Sequence, residues 1–140
     1  MFRKILLAYD GSEGANQALE AGVRLAQIHG AELWALAVEE RLPHFGGTID
    51  EVQEEKEFAD RHYGKLLEDI RLRARQLGVE LKTLLRAGHP ARTIVEAARE
   101  GKFDLILVGH SGVSGVWAAF LGTTAEKVSR HAPCSVLIVR

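Results

Sequence analysis

The chain has 140 residues, of which 46% are hydrophobic and 26% charged, and its formal net charge at pH 7 is −1. This length and composition are typical of one globular domain with its own core, so we predict a single domain over residues 1–140. The near-zero net charge argues against nucleic acid or an anionic membrane as a partner, because bulk electrostatics would attract neither.

The first residues argue against export. The opening four residues precede an apolar stretch of only five, residues 5–9, which is too short for the core of a signal peptide or for a membrane span. We therefore expect a cytoplasmic protein. Cys134 is the only cysteine, and the six histidines show neither an i, i+4 pair nor a His-Glu-x-x-His motif. A disulfide within the chain is impossible, and we expect no protein-only metal site.

Apolar runs alternate with amphipathic stretches along the whole chain. The runs are predicted strands at residues 4–9, 32–38, 79–85, 104–108 and 135–139. The stretches between them keep helical spacing, and Gly30, Gly78 and Gly101 are each placed to end a helix in the left-handed conformation. This alternation predicts an α/β fold with a parallel sheet. The third run alternates apolar with polar residues, which indicates an edge strand.

Several residues are suited to helix starts. Ser12 is placed to cap the first helix, and Pro90 fits a first helical turn with His89 in the cap position. Thr123 and Glu126 have the spacing of a capping box. The acidic residues 51–57 open a long helix and suit its dipole as a solvated face. Residues 41–50, before them, are either a mobile flap or a plain surface connection.

A glycine motif follows the fourth predicted strand. It reads Gly109-His110-Ser111-Gly112, then nine residues, then Gly122-Thr123-Thr124. Glycines allow positive φ and a close backbone approach, and the amides that open the next helix can bind an anion. The motif therefore predicts a phosphate-binding loop, with the two threonine hydroxyls as added donors. An ordinary glycine-rich crossover loop is the alternative.

Together with Ala8-Tyr9-Asp10-Gly11-Ser12 and the closing residues 131–139, the motif resembles the universal stress protein family over the whole chain. Its spacing is similar to that of the family's ATP-binding branch. The resemblance and the right-handedness of crossovers imply an open five-stranded parallel sheet of order 3-2-1-4-5 with helices on both faces. Such a fold is Rossmann-like and similar to the adenine nucleotide alpha hydrolases.

The resemblance also implies ATP, together with Mg²⁺, as the ligand. Asp10 and the backbone around Val38 would hold the nucleoside, and the ribose and phosphates would be held by Gly109, Gly112, Gly122, Thr123 and Thr124. His110 and Ser111 fill two variable positions of the motif. The family often has arginine where His110 stands, and basic residues where residues 116–121 are apolar here. Phosphate neutralisation therefore departs from the family pattern.

The chain's own residues are consistent with that site. In a sheet of this order the carboxyl ends of the first and fourth strands flank a crevice, and Asp10 and Gly109 close those two strands. Asp10 suits a nucleoside hydroxyl or amine, or Mg²⁺. The alternative for Asp10 is an Asx-turn at the strand end.

The predicted function is an ATP-binding regulatory module of the stress response with little or no turnover. The loop contains no lysine or arginine for phosphoryl transfer, and no catalytic residue is assigned. A nucleotide-independent dimeric scaffold is one alternative. A slow nucleotide hydrolase with Asp10 or His110 as the base is the other.

The fifth predicted strand indicates how a second copy of the chain could bind. Its apolar residues Val136, Leu137, Ile138 and Val139 would form an exposed sheet edge, which invites pairing with a second copy. We expect a homodimer through this strand, with higher oligomers left open, and a protein partner that the sequence does not identify.

Overall fold

A computed structural model describes residues 1–40, 47–110 and 121–140. In these residues five strands and four helices follow one another as β1 (Lys4–Ala8), α1 (Glu13–His29), β2 (Glu32–Glu39), α2 (Ile49–Gln76), β3 (Leu81–Ala87), α3 (Pro90–Glu100), β4 (Leu105–Gly109), α4 (Thr123–His131) and β5 (Ser135–Val139). The strands are parallel and lie in the order β3-β2-β1-β4-β5. The predicted fold and strand order are confirmed, with β3 and β5 at the edges.

The central strand β1 divides the hydrophobic core into two clusters. Ile5 and Leu7 face the cluster formed with α1 and α2, whereas Leu6 faces the one formed with α3 and α4. All three side chains have no exposed surface. Strands covered by helices on both faces need apolar residues at successive positions, which explains the continuous runs in the sequence.

The helix starts were predicted well at two positions. Ser12 caps α1, where its Oγ accepts a hydrogen bond of 3.1 Å from the Ala15 amide. His89 occupies the N-cap of α3 with Pro90 in the first turn. A capping box that the sequence analysis did not predict starts α2, where Thr48 and Glu51 bond each other's backbone. None of the described helices is long and apolar enough to cross a membrane.

The prediction of a left-handed end is confirmed at Gly30 and Gly78, whose φ angles are 63° and 87°, but is wrong at Gly101. Gly101 has a φ of −83°, and Lys102 takes the positive φ of 54° instead. A Cβ at Gly101 would lie 2.4 Å from the Phe103 ring, which is buried. Glycine is therefore required there by packing rather than by its backbone angle.

The third strand begins two residues later than predicted. The Val79 amide donates a hydrogen bond of 2.9 Å to the Ala74 carbonyl at the end of α2. Val79 is therefore part of the helix C-terminal turn, and pairing with β2 starts at Leu81. The apolar character of Val79 serves the core beneath α2, where it packs against the first cluster.

Gly109, the last residue of β4, allows that strand to approach the first turn of α1. A Cβ at this position would lie 2.7 Å from the carbonyl carbon of Gly14 and 2.8 Å from its oxygen. Real Cβ atoms do not come so close to backbone atoms, and neither chain segment carries a flexible group that could move aside. The end of β4 and the start of α1 are thus held together through a glycine.

We predict that Gly109→Ala lowers the free energy of unfolding by about 1–3 kcal/mol, because the strand and the helix must separate to admit the methyl group. Gly64→Ala is the matched control. Gly64 lies within α2 with no atom within 4 Å of its Cβ position, so alanine there should stabilise the protein by about 0.5–1 kcal/mol. Urea denaturation of both variants measures the difference, and equal stabilities would contradict the close packing at Gly109.

Candidate functional site

A cavity of about 730 Å³ opens at the carboxyl ends of β1 and β4. The chain leaves these two adjacent strands toward opposite faces of the sheet, which opens a crevice between their carboxyl ends. Ligands of open α/β sheets bind in this crevice. Seven of the nine predicted site residues line it, namely Asp10, Val38, Gly109, His110, Gly122, Thr123 and Thr124. Ser111 and Gly112 lie outside the described residues, as do residues 113–120 of the loop and residues 41–46 of the suggested flap.

The backbone of His110 joins three elements at the cavity. Its amide donates a hydrogen bond of 2.7 Å to the Val139 carbonyl at the end of β5. Its carbonyl accepts one of 2.8 Å from the Gly122 amide at the start of α4. The two ends of the glycine motif are therefore fixed side by side, and α4 begins directly next to the end of β4. The side chain of His110 is 9% exposed and lines the cavity.

Helix α4 starts one residue earlier than the predicted capping box requires. Gly122 is the N-cap with φ −63° and ψ 151°, and no side chain caps the helix. Thr123 lies inside the first turn, so its hydroxyl is not at the cap position and the capping box with Glu126 is wrong. The expected positive φ is also wrong at Gly109 and Gly122, because the described glycines with positive φ are Gly11, Gly30, Gly78 and Gly88.

The start of α4 provides amide donors at the cavity. The first hydrogen bond within the helix runs from the Glu126 amide to the Gly122 carbonyl, at 2.9 Å. The amides of Thr123 and Thr124 precede it and belong to the N-terminal turn, whose donors have no acceptor within the helix. Both residues line the cavity. Their amides, their hydroxyls and the helix dipole can together stabilise an anion.

Asp10, two residues beyond the last residue of β1, forms the Asx-turn that the sequence analysis gave as its alternative role. Its Oδ1 accepts a hydrogen bond of 2.9 Å from the Ser12 amide, and Gly11 between them has a φ of 84°. The turn directs the chain from the strand into α1. Asp10 is exposed and lines the cavity, so this turn also holds its carboxylate at the cavity rim.

Tyr9, beside Asp10, lies at the base of the cavity. Its hydroxyl donates a hydrogen bond of 2.6 Å to Oδ1 of Asn16 in α1. Burial raises the pKa of the phenol above its ordinary value, and the negative charges of Asp10 and Asp69 raise this pKa further. Tyr9 is therefore neutral near pH 7 and acts as a packed wall and hydrogen-bond donor.

The structure adds residues that the sequence analysis missed. Tyr63 of α2, Glu40 after β2, and Pro90 and Ile94 of α3 also line the cavity. Glu40 could have been found, since it follows the carboxyl end of β2 as Asp10 follows that of β1. Tyr63 continues the helical spacing of the buried positions Leu67, Ile70 and Ala74 toward the N-terminus of α2. Nothing in that spacing indicates that the helix reaches the site.

The charges around the cavity are mainly negative. Its described lining contains two carboxylates, Asp10 and Glu40, and the imidazole of His110, and it includes no lysine or arginine. Residues 109–125 of the sequence contain neither lysine nor arginine. An anion at the start of α4 would therefore be held by amides and hydroxyls. No group of three metal-ligating side chains occurs among the residues that the structure describes.

Fold and cavity together define an α/β protein with a ligand crevice at the switch point of a parallel sheet. A model of the Universal stress protein family matches residues 1–140. Universal stress protein YxiE of Bacillus subtilis is 36% identical over 154 residues, with full coverage of both chains. Universal stress protein UspA from Lactobacillus plantarum has the same fold, with a TM-score of 0.88 and 29% identity over 99% of this chain and 98% of that one. The chain belongs to the universal stress protein family.

Two more distant structures of the same fold contain nucleotides. A universal stress protein in complex with cAMP has a TM-score of 0.76 and 23% identity over 99% of this chain and 97% of that one. A family protein from Arabidopsis thaliana with AMP bound has a TM-score of 0.70 and 17% identity, over 98% and 90% of the two chains. At these identities the likeness shows the shared fold.

The raised pKa of Tyr9 gives a prediction for alkaline pH. The chain has two tyrosines, so in a Tyr63→Phe background an absorbance titration reports Tyr9 alone. We expect Tyr9 to ionise above pH 10, the ordinary phenol value, and Asp10→Asn to lower its pKa because a repelling charge is removed. The raised pKa also means that the free energy of unfolding falls as pH rises above about 10, since the unfolded chain releases this proton first.

The remote, exposed Glu80 gives the control, because Glu80→Gln should leave the titration of Tyr9 unchanged. A Tyr9 midpoint at or below pH 10 would contradict the buried, negatively charged surroundings described here.

Proposed function

We propose that this protein binds ATP at the cavity and acts as a nucleotide-dependent regulatory module. The observation that carries the proposal is the convergence of Gly109, Gly122 and the first turn of α4 at one end of a cavity located at the switch point. This end would bind phosphates through amides and the hydroxyls of Thr123 and Thr124. Asp10 and the backbone around Val38, at the ends of β1 and β2, would bind the nucleoside. The nucleotides bound by two proteins of the same fold support this assignment.

Mg²⁺ fits the site as a companion of the phosphates rather than as a resident ion. The described residues contain no cluster of three possible ligands, and Asp10 is the carboxylate next to the loop. Mg²⁺ keeps several waters and commonly binds through one or two carboxylates together with substrate phosphates. When bound, the ion would neutralise phosphate charge that no lysine or arginine of residues 109–125 can neutralise.

Because residues 109–125 contain no lysine or arginine, we expect little or no ATP turnover. Phosphoryl transfer requires stabilisation of charge on the transferring group and a positioned nucleophile. One oxygen of Asp10 already accepts the Ser12 amide, which leaves it poorly placed as a base. If hydrolysis is measured and survives both Asp10→Ala and His110→Ala, neither residue is the base and the slow-hydrolase alternative loses its assignment.

Calorimetric titration of nucleotide-stripped protein with ATP and Mg²⁺, beside AMP and GTP, tests the proposal. We expect Gly122→Val to weaken ATP binding at least about tenfold, since its side chain would occupy the phosphate position. Valine tolerates the φ and ψ of Gly122, so the variant should fold. Gly64→Val is the matched control, at a helix position with open space around the Cβ.

Unchanged affinity in Gly122→Val would contradict the phosphate position. No heat and no rise in melting temperature with any nucleotide would contradict ATP binding as a whole. That second result would favour the nucleotide-independent scaffold, which the lack of basic residues in residues 109–125 already supports.

We also propose a homodimer through β5. This strand is an edge of the sheet, and Leu137 at its centre is 40% exposed. Val136 and Ile138 on its other face pack against the second core cluster, so the strand is rigid and its free edge can pair. The cytoplasmic location, the single domain and the protein partner remain predictions from the sequence.

Leu137→Asp should convert the dimer to a monomer, because each copy would bring a charge to the paired edge. Leu85→Asp is a matched control on the opposite edge strand β3, where Leu85 is 37% exposed. Light scattering at micromolar concentration measures the mass. A wild-type protein with the mass of one chain would rule out the dimer. If the measured mass fell from two chains to one in both variants, general unfolding would be the cause instead.

A further inference from the structure

A second cavity of about 560 Å³ lies between α3 and α4, and none of its lining residues lines the first cavity. We call it the basic cleft, and its lining residues are His89, Ala91, Arg92, Val95, Glu96, Arg99, Lys127 and His131. Ala91 and Val95 are buried and form a small apolar floor, whereas Arg92, Arg99 and Lys127 are exposed. Three permanent positive charges thus surround one negative charge in a groove between two helices.

Among the residues that the structure describes, Arg92, Arg99 and Lys127 of the cleft form no ion pair. By contrast, the sequence neighbours Glu100 and Glu126 of two cleft cations pair with Arg86 and Arg130, each at 2.9 Å. In the described ranges no carboxylate lies within 4.0 Å of the charged groups of the three cleft cations. Exposed positive charges without an ion pair, next to charges that are paired, suit a negatively charged partner.

The spacing of these charges favours an elongated partner over a small anion. Arg92 and Arg99 lie seven residues apart on α3, which is about 10 Å along the helix axis. Lys127 lies across the groove on α4. A single phosphate needs donors that converge within a few ångströms. Here Glu96 lies between the two arginines, and its negative charge would repel a phosphate placed there. A row of carboxylates with a helical repeat fits this arrangement better.

Such a row exists on this chain. Residues 50–60 contain six acidic side chains and one basic one. Asp50, Glu54 and Glu57 fall on one face of α2 and also span seven residues, the separation of Arg92 and Arg99. This acidic face is exposed and lies opposite the half-buried positions Val52 and Ala59. The capping box at Thr48 fixes the start of α2, so the helix would lose little conformational entropy when its acidic face binds a partner.

One chain cannot bring the two surfaces together. Helix α2 packs on the first core cluster with α1, whereas α3 and α4 pack on the second, and the sheet lies between them. We infer that the basic cleft binds the acidic face of α2 from a second copy of this chain. Exposed ion pairs are weak and screened by salt, so the contact is a low-affinity one that operates at high local concentration.

Static light scattering across a protein concentration series, in about 20 mM and about 300 mM salt, measures this association. We expect the association constant to fall at least tenfold at the higher salt. The cleft variant Arg92→Glu/Arg99→Glu and the helix variant Glu54→Lys/Glu57→Lys should each lose the salt-dependent part. Arg24→Glu/Arg75→Glu, which changes charge equally at exposed sites elsewhere, should retain it.

Combining the two charge-reversed surfaces tests whether they contact each other. Mixing the cleft variant with the helix variant, or combining all four substitutions in one chain, should restore the low-salt association because each pair then has opposite charges again. Failure of both restorations would overturn the inference. Equal masses of the wild type at the two salt concentrations would overturn it too. If tripolyphosphate then raised the melting temperature of the wild type but not of the cleft variant, the cleft would be a phosphate site instead.

Discussion

The site depends on the position of β1 between β2 and β4. β1 pairs in register with both neighbours, and its three central side chains have no exposed surface. Chain connections leave β1 and β4 toward opposite faces of the sheet, so no helix covers the gap between their carboxyl ends. The position of the cavity is therefore a consequence of strand order. What the local sequence decides is its chemistry.

That chemistry is set mainly by backbone groups. The two hydrogen bonds of the His110 backbone connect β4, β5 and α4, and Gly109 connects β4 with the first turn of α1. The first turn of α4 is thereby held at the cavity by backbone hydrogen bonds. In the described lining, what the start of α4 can offer an anion is therefore limited to amides, hydroxyls and the helix dipole. Asp10 and Glu40 also line the cavity, and their negative charges do not attract an anion directly.

Much of the fold could be predicted because its signals are local or topological. Apolar runs mark strands buried on both faces, and Ser12, His89 and Pro90 mark helix starts by their own conformational preferences. Two predictions, the capping box at Thr123 and the left-handed helix end at Gly101, were wrong for physical reasons that sequence spacing alone does not reveal. The spacing of Thr123 and Glu126 fits a capping box, yet Gly122 takes the extended N-cap conformation and moves the start of α4 by one residue. Gly101 resembles a helix stop, whereas the Phe103 ring is what requires it.

The cavity lining was predicted for residues at strand ends and in the glycine motif, and it was missed for Tyr63 of α2. The 28 residues of α2 span about 42 Å, whereas the longest strand, of 8 residues, spans about 26 Å. The buried residues of α2 begin at Leu67, so the part before Leu67 extends past the core and includes Tyr63, which lines the cavity.

The same extension turns the acidic face of α2 toward solvent. Tyr63 lines the cavity, and Glu54 is exposed on the opposite side of the same helix. A ligand that contacts the inner side and a partner that contacts the outer side therefore act on a common element. If either one shifts that helix, each must change the affinity of the other by the same factor.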